Sequence, residues 1–449
     1  MGQFVEESHL TECYQAIKHV VSFPSVCNEG ENGTPFGQAI QDCLEDTLEL
    51  CKSLGMRTYI DPEGYYGYAE IGEGEELFAV LCHLDVVPVG DESKWTTPPF
   101  EANIRDGRIY GRGTQDDKGP TMIALYALKS LLDKDVTFNK RLRFIFGTDE
   151  ETLWRCLNRY AEKEEKATMG FAPDSGFPLT FAEKKLLQVK LHGPGCEQVQ
   201  ADLGGAFNMV PDEVLIEDPI NEKVAEALSK KDIPYDLEDG KLHIKGKSVH
   251  SKDSDQGINA VMRYLIGLNE VIDHPLVKFL VEKIGENALA YDLVGTDKKD
   301  DVSGPLTLNV ARVTLDKDHS EACLDLRMPV KIEKDEMTQP IIDKAKEYGV
   351  EYEEFDYLDS LYVPLDSKLV TTLLNVYREH TGDMTEAISS GGATFARTMD
   401  NCVAFGAHLP QYEETEHQIN EFIELDNVKV AMEIYADALY QLVTVEGEK

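Results

Sequence analysis

The sequence predicts an α/β domain, a mixed and largely parallel sheet between helices, interrupted by an inserted α+β domain. Three observations carry this. The apolar runs 77–82 (LFAVLC) and 141–147 (RLRFIFG) bracket a long helix candidate, GPTMIALYALKSLLDK, and that strand-helix-strand order calls for parallel strands covered by helices. From about residue 186 the texture changes to alternating strands and short helices. After 361 two further helical stretches, SKLVTTLLNVYREH and LDNVKVAMEIYADALYQLV, resume the first domain.

Taken in order, residues 8–55 read as helical, with Cys13, Ile17, Val20 and Val21 at helical spacing and a second helix from Gly37 to Leu54. The buried-strand candidates and their crossover helix follow. The inserted stretch runs through the strand LLQVKLHG, the helix NEKVAEALSKK, the strand KLHIKG and the helix GINAVMRYLIGLNEVI. A similar order returns at 305–358 with LTLNVARVTL, EACLDLRMPV, the helix EMTQPIIDKAKEYG and the strand VEYEEFDY. Two weakly alike helix-to-strand joints, KKDIPYDL and KEYGVEYEE, predict a duplicated unit. The expected boundaries are therefore 1–185 with 362–449 for the first domain, and 186–361 for an inserted domain with two similar halves.

A chain of 449 residues has ample material for two large cores. Against 44 Lys and Arg stand 83 Asp and Glu, a net charge of −39, so its field repels phosphate backbones and anionic lipid surfaces. Nucleic-acid and membrane partners are not expected. The nine cysteines are scattered and form no CxxC pair, which reads as reduced thiols in a cytoplasmic protein. No apolar run approaches the ~18 residues of a membrane span, and the first ten residues lack the basic-then-apolar pattern of an export signal.

The chemistry-bearing residues fall in separated blocks. His83 and Asp85 follow the first apolar run in CHLDVVPVG; an imidazole suits a metal, and a nearby carboxylate can fix its tautomer. Asp116 and Asp117 sit between glycines in GRGTQDDKGP, which matches neither GxxxxGK[ST] nor GxGxxG, so a phosphate loop is not supported. The second strand ends in TDEET, putting Glu150 and Glu151 beyond its carboxyl end, where open α/β sheets bind ligands. Asp174 lies in the turn-rich FAPDSGFP. His417 lies in EETEHQINE, with Glu421 at an i, i+4 spacing that by itself commonly marks only a solvated helical pair. Such crowding of carboxylates needs cations to offset it. Two histidines and three carboxylates can fill a two-metal site in which one carboxylate bridges cations ~3.5–4 Å apart.

The blocks CHLDVVPVG, WTTPPF, GRGTQDDKGP, TDEETLW and FAPDSGFP resemble those of the co-catalytic zinc metallopeptidase family that contains aminoacylase, bacterial carboxypeptidases, succinyl-diaminopimelate desuccinylase and the carnosinases. Within it, the long spacing and the segments GGAFNMVPDE, GKSVHS, LDLRMPV and SSGGATFART are similar to the PepV-like bacterial dipeptidases. The resemblance implies a zinc-exopeptidase-like catalytic domain with a lid, and a dipeptidase using two divalent cations, zinc first, with manganese or cobalt accepted by such a thiolate-free site. It implies that His83 and Asp174 hold one cation, Glu151 and His417 the other, and that Asp116 bridges them. Asp85 matches the carboxylate that orients the first histidine, and Glu150 the general base. His250 matches the lid group that meets the oxyanion, Asn208 and Arg327 match substrate contacts, and Gly391 and Gly392 match a loop near the substrate carboxylate.

One block departs from the family pattern, which has a small residue before the final histidine and a proline soon after. Here Glu416 precedes His417, and Ile419 and Asn420 follow, with His408 in FGAHLP the nearest substitute. The same site acting on N-acetyl or N-succinyl amino acids is the alternative activity, and a non-catalytic relative would be expected to have lost ligands or base. The duplicated lid implies a monomer, its second half standing in for the partner subunit of shorter relatives.

Overall fold

The computed structural model describes residues 3–30 and 34–444. The chain forms two compact units: 1–181, 362–388 and 394–449 make one, and 182–361 with 389–393 the other.

The first unit is built on a mixed sheet in the spatial order Arg57–Ile60, Tyr66–Ile71, Arg141–Gly147, Leu77–His83, Met169–Ala172, Cys402–Ala404. The last four strands run parallel and the first two antiparallel to their neighbours. Every residue of Leu77–His83 is buried, as a continuous apolar run covered on both faces requires. The crossover helix Lys118–Leu132 is buried nearly all round, because Glu7–Val21 and Leu425–Val443 pack against it. Parallel order brings the carboxyl ends of neighbouring strands to one edge: His83 is in register with Gly147, and Ala404 with Ala172.

The second unit is α+β. Its five-stranded antiparallel sheet runs Ala201–Gly204, Thr307–Leu315, His319–Met328, Lys185–Pro194, Glu351–Leu358, and a separate three-stranded sheet runs Glu213–Glu217, Lys241–Lys245, Asp236–Glu238. Alternation along the long strands sends Leu187, Val189, Leu191, Leu324, Leu326 and Val310 into a core with the helices Asn221–Lys230, Ala260–Leu268, Pro275–Lys283 and Lys334–Glu347. The opposite face carries Gln188, Asn309, Asp325 and Arg327; Asp325 is in register with both Gln188 and Asn309, and Arg327 with Thr307. The two similar helix-to-strand joints fall in different sheets, the first leading into Asp236–Glu238 and the second into Glu351–Leu358. No helix among the described residues is long and apolar enough to cross a membrane, and all nine cysteines are unpaired, eight of them buried.

Candidate metal centre and substrate-facing segment

The strand ends deliver the first unit's polar residues to one place. His83 closes its strand with its ring buried, and its backbone N–H donates to Asp117 at 3.1 Å. Asp117, at the start of the crossover helix, also accepts from Thr121. The strand 141–147 must end in glycine: a Cβ on Gly147 would come within 2.3 Å of the Phe395 ring. That ring packs edge-on against His83 at 6.1 Å and against Trp154 at 5.3 Å. The loop beyond Gly147 is pinned by Asp149, which accepts from Arg155 through both Nε and Nη2 (2.8 and 2.9 Å). Asp85 then accepts the backbone N–H groups of Glu150 (3.1 Å) and Glu151 (3.0 Å). Asp85 therefore holds the carboxylate loop as much as the histidine: His83 Nδ1 lies 3.0 Å from the Asp85 carbonyl and 3.6 Å from its carboxylate.

Asp116 lies at the centre. One of its oxygens is 2.9 Å from His83 Nε2 and the other 2.8 Å from His417 Nε2. Asp174 stands 3.8 Å from the same nitrogen of His83, and Glu151 3.3 Å from that of His417. Ligand atoms of His83, Asp116 and Glu151 fall within one cation's reach, as do those of His83, Glu150 and Asp174. His417 adopts a left-handed turn (φ 60°), so the helical pairing with Glu421 does not form. His408 instead faces the Glu413 carbonyl.

The electrostatics of the cluster follow from its burial and its crowded acids. Burial, then Asp116, pushes Glu151 up to about 7, and burial likewise pushes Asp117 up to about 7. Burial and the surrounding acids hold Glu150 and Asp174 well above the carboxylate range, against the pull of His83. In the other direction, Asp116 and Glu151 overcome burial to raise His417 to about 11, and Asp116 and Asp85 overcome burial to hold His83 well above the ordinary imidazole range. Crowded buried carboxylates of this kind are stabilised by positive charge among them. The donor set fits a pair of divalent cations: neutral imidazoles and carboxylates with no thiolate, one carboxylate presenting an oxygen to each histidine, and a buried Glu151 oxygen with no hydrogen-bond partner among the described residues.

Sequence reasoning missed the residues that hold this arrangement. Glu421, fully buried, accepts from Arg112 Nη1 (2.7 Å) and from the backbone N–H groups of Gly113 (3.1 Å) and Gln115 (2.8 Å). Gln115 accepts from the N–H groups of Thr415 (2.8 Å) and Glu416 (3.1 Å), and its own amide donates to the Glu413 carbonyl (2.9 Å). The loop bearing Asp116 is thus stitched to the loop bearing His417, some 300 residues away. The one available signal was an acid four residues beyond the histidine.

The second unit gathers the other predicted residues. His250 precedes the short 3₁₀ turn Ser251–Gln256, and its Nδ1 accepts from the Lys252 N–H at 3.1 Å. A neutral ring accepting at Nδ1 carries its proton on Nε2 as a donor. Asn208 is exposed, and its carbonyl accepts from Ser251 N–H at 2.8 Å. Arg327 is buried and bidentate to Asp325 (2.7 and 3.1 Å), with Nη1 on the Gly391 carbonyl at 2.9 Å. Gly391 packs so closely on Lys252 that a Cβ would meet Lys252 Cβ at 2.7 Å, and Gly392 N–H donates to Ser390 Oγ at 2.9 Å. His250, Asn208, Arg327, Gly391 and Gly392 therefore belong to one neighbourhood of this unit.

Comparison with known proteins agrees with both units. The model of Peptidase family M20/M25/M40 matches residues 79–441. A relative named "Putative dipeptidase YtjP", from Bacillus subtilis, is 38% identical over 435 residues, covering 91% of this chain and 92% of its own. The M20 family metallo-carboxypeptidase Sso-CP2 of Sulfolobus solfataricus superposes with a TM-score of 0.61 at 20% identity, covering 96% of this chain and 98% of its own. Human carnosine dipeptidase 1 does so with a TM-score of 0.62 at 16% identity, covering 97% of each.

Proposed function

The chain belongs to Peptidase family M20/M25/M40, and from that premise we propose that it is a dipeptidase that hydrolyses the peptide bond of small dipeptides at a site for two divalent cations, zinc foremost. The observation that carries this reading is the position of Asp116, with one oxygen on each of two histidines, His83 at 2.9 Å and His417 at 2.8 Å. His83 and Asp174 would hold one cation, Glu151 and His417 the other, and Asp116 both. When bound, the cations supply Lewis acidity at the scissile carbonyl and bring the pKa of water down towards ~7.

The chain's own groups do the rest. Glu150 takes a proton from the attacking water as its oxygen bonds to the carbonyl carbon, and returns that proton to the nitrogen as the C–N bond breaks. Its carboxylate loop is held by Asp85 through two backbone N–H groups, which fixes the base relative to His83. His250 offers Nε2–H to the developing oxyanion, a kind of contact whose loss costs about 10²-fold or more. Asn208, Arg327 and the Gly391-Gly392 loop bind the substrate. The active species is a monomer, checked by sedimentation.

The test is amine release from dipeptides, N-acetyl and N-succinyl amino acids, by stripped protein with and without added zinc or manganese, beside Glu150→Ala. Hydrolysis of dipeptides alone, dependent on cation and reduced about 10²- to 10⁴-fold in Glu150→Ala, is the expected result. Preference for the acyl compounds would keep the site and replace the substrate class, and absence of turnover with every cation would refute the reading.

A further inference from the structure

The substrate-facing segment of the second unit hangs from one buried side chain to which neither the family match nor the proposed reaction assigns a part. Asn309 lies on the strand Thr307–Leu315, in register with Asp325, and is 1% exposed. Its Nδ2 lies 3.2 Å from the Phe207 carbonyl, 2.8 Å from the Met209 carbonyl and 3.0 Å from Ser251 Oγ, so two hydrogens are shared among three acceptors. Those acceptors flank Asn208 on both sides and follow His250 directly. Ser251 completes the joint: its Oγ donates to the Phe207 carbonyl at 2.8 Å and its N–H to the Asn208 carbonyl at 2.8 Å. Met209 pairs with His250 as an isolated antiparallel bridge.

Asn309 is itself held. Its Oδ1 accepts from Asn259 Nδ2 at 3.2 Å, and that amide also donates to the Val310 carbonyl at 2.8 Å while capping the helix Ala260–Leu268 through Met262 N–H. The side chain therefore ties a rigid strand and a helix start to the two short stretches that carry Asn208 and His250. No other residue type of similar volume does this. Aspartate has no hydrogens for two carbonyls, and leucine would leave both carbonyls unpaired.

We propose that Asn309 is a positioning residue of the reaction, fixing Asn208 and His250 relative to each other and to the sheet that carries Arg327. The proposal rests on the reading of His250 and Asn208 given above. Its mode of action is preorganisation: a donor displaced by about 1 Å can cost on the order of 10²-fold in rate.

The test uses the full chain loaded with cation, as Asn309→Ala, His250→Ala, Asn208→Ala and the double variant Asn309→Ala/His250→Ala. Hydrogen exchange is read in peptides spanning 205–210 and 248–253, and kcat and KM are measured on a dipeptide. The expected result for Asn309→Ala is at least tenfold faster exchange in those two peptides, a tenfold or greater fall in kcat, and unchanged cation stoichiometry. The double variant should lose less than the product of the two single losses, because both changes remove the same placed donor, and any loss beyond that of His250→Ala should not exceed the loss in Asn208→Ala. Unchanged exchange, or losses that multiply in the double variant, overturns the proposal. If exchange accelerates while His250→Ala and Asn208→Ala both keep full turnover, the reading of the segment fails and Asn309 is structural only, which also overturns it. Should Asn309→Ala not fold, Ser251→Ala removes one of the three acceptors and leaves the two carbonyl bonds in place. It is expected to show the same non-additivity with His250→Ala at a smaller loss, and additivity there counts against the proposal.

Discussion

Replacing Glu421 by glutamine probes how the bridging loop is held without touching a predicted ligand. The wild-type carboxylate is fully buried, 2.7 Å from a guanidinium that is itself 2% exposed, and accepts two backbone N–H groups of the loop leading to Asp116. Glutamine keeps the volume but leaves the Arg112 charge buried and unpaired, a change that costs about 3–5 kcal/mol. For a unit of this size each kilocalorie lowers the midpoint by about 2–4 °C, so thermal unfolding of the stripped protein should shift down by roughly 6–20 °C. The same change loosens the loop that sets Asp116 against His417, and calorimetric titration with zinc should show at least a tenfold loss of affinity. Arg112→Met combined with Glu421→Met should recover part of the stability, since an apolar pair replaces the ion pair, but not all of it, since the N–H groups of Gly113 and Gln115 stay unpaired. A Glu421→Gln protein that melts and binds zinc as the parent does would refute the reasoning.

Other consequences are open to direct measurement. His380, on the helix Lys368–Thr381, is paired with Asp437 on Leu425–Val443, and this partner raises the imidazole above its ordinary value against the effect of burial. Its contribution to stability is fully present below the unfolded pKa of ~6.5 and is lost as pH rises through the higher folded value. The difference in unfolding free energy between the parent and His380→Asn should accordingly shrink as pH is raised from 6, and a difference that is flat or grows would contradict the pairing. Gly391→Ala would drive a methyl to 2.7 Å from Lys252 Cβ and 3.3 Å from its Cα, an overpacking worth about 1–3 kcal/mol. It should lower turnover of a dipeptide without changing cation stoichiometry, and unchanged kinetics would remove the 390s loop from the site.

Much of the framework was legible in the sequence because it obeys short-range rules. The continuous apolar run at 77–82 suited a covered strand, and the structure buries every residue of Leu77–His83. The helix candidate between the two strands became Lys118–Leu132, with Asp116 and Asp117 just ahead of it. Given parallel strands, His83, the Glu150-Glu151 pair and Asp174 had to fall at one edge, since each follows the carboxyl end of a strand.

The sequence misled where spacing mimics structure. The interval from His417 to Glu421 fits one helical turn, yet His417 occupies a left-handed turn and Glu421 points into the core beneath the Asp116 loop. Local spacing carries no record of Arg112, whose buried charge demands that carboxylate. Asp85 was read as a partner for one imidazole; its carboxylate lies 3.6 Å from His83 Nδ1, and its oxygens also take up the N–H groups of Glu150 and Glu151.

The sequence by itself determined the class of protein and the blocks that carry the clustered histidines and carboxylates, because residue type and strand-end position are local properties. Tertiary structure alone decided that Asp116 faces two histidines from opposite oxygens, that Gln115 and Glu421 join loops some 300 residues apart, and that Asn309 holds the stretches flanking Asn208 and His250. Those are hydrogen bonds of buried polar groups. A buried donor or acceptor must find a partner wherever the folded chain provides one, and sequence separation places no limit on where that is.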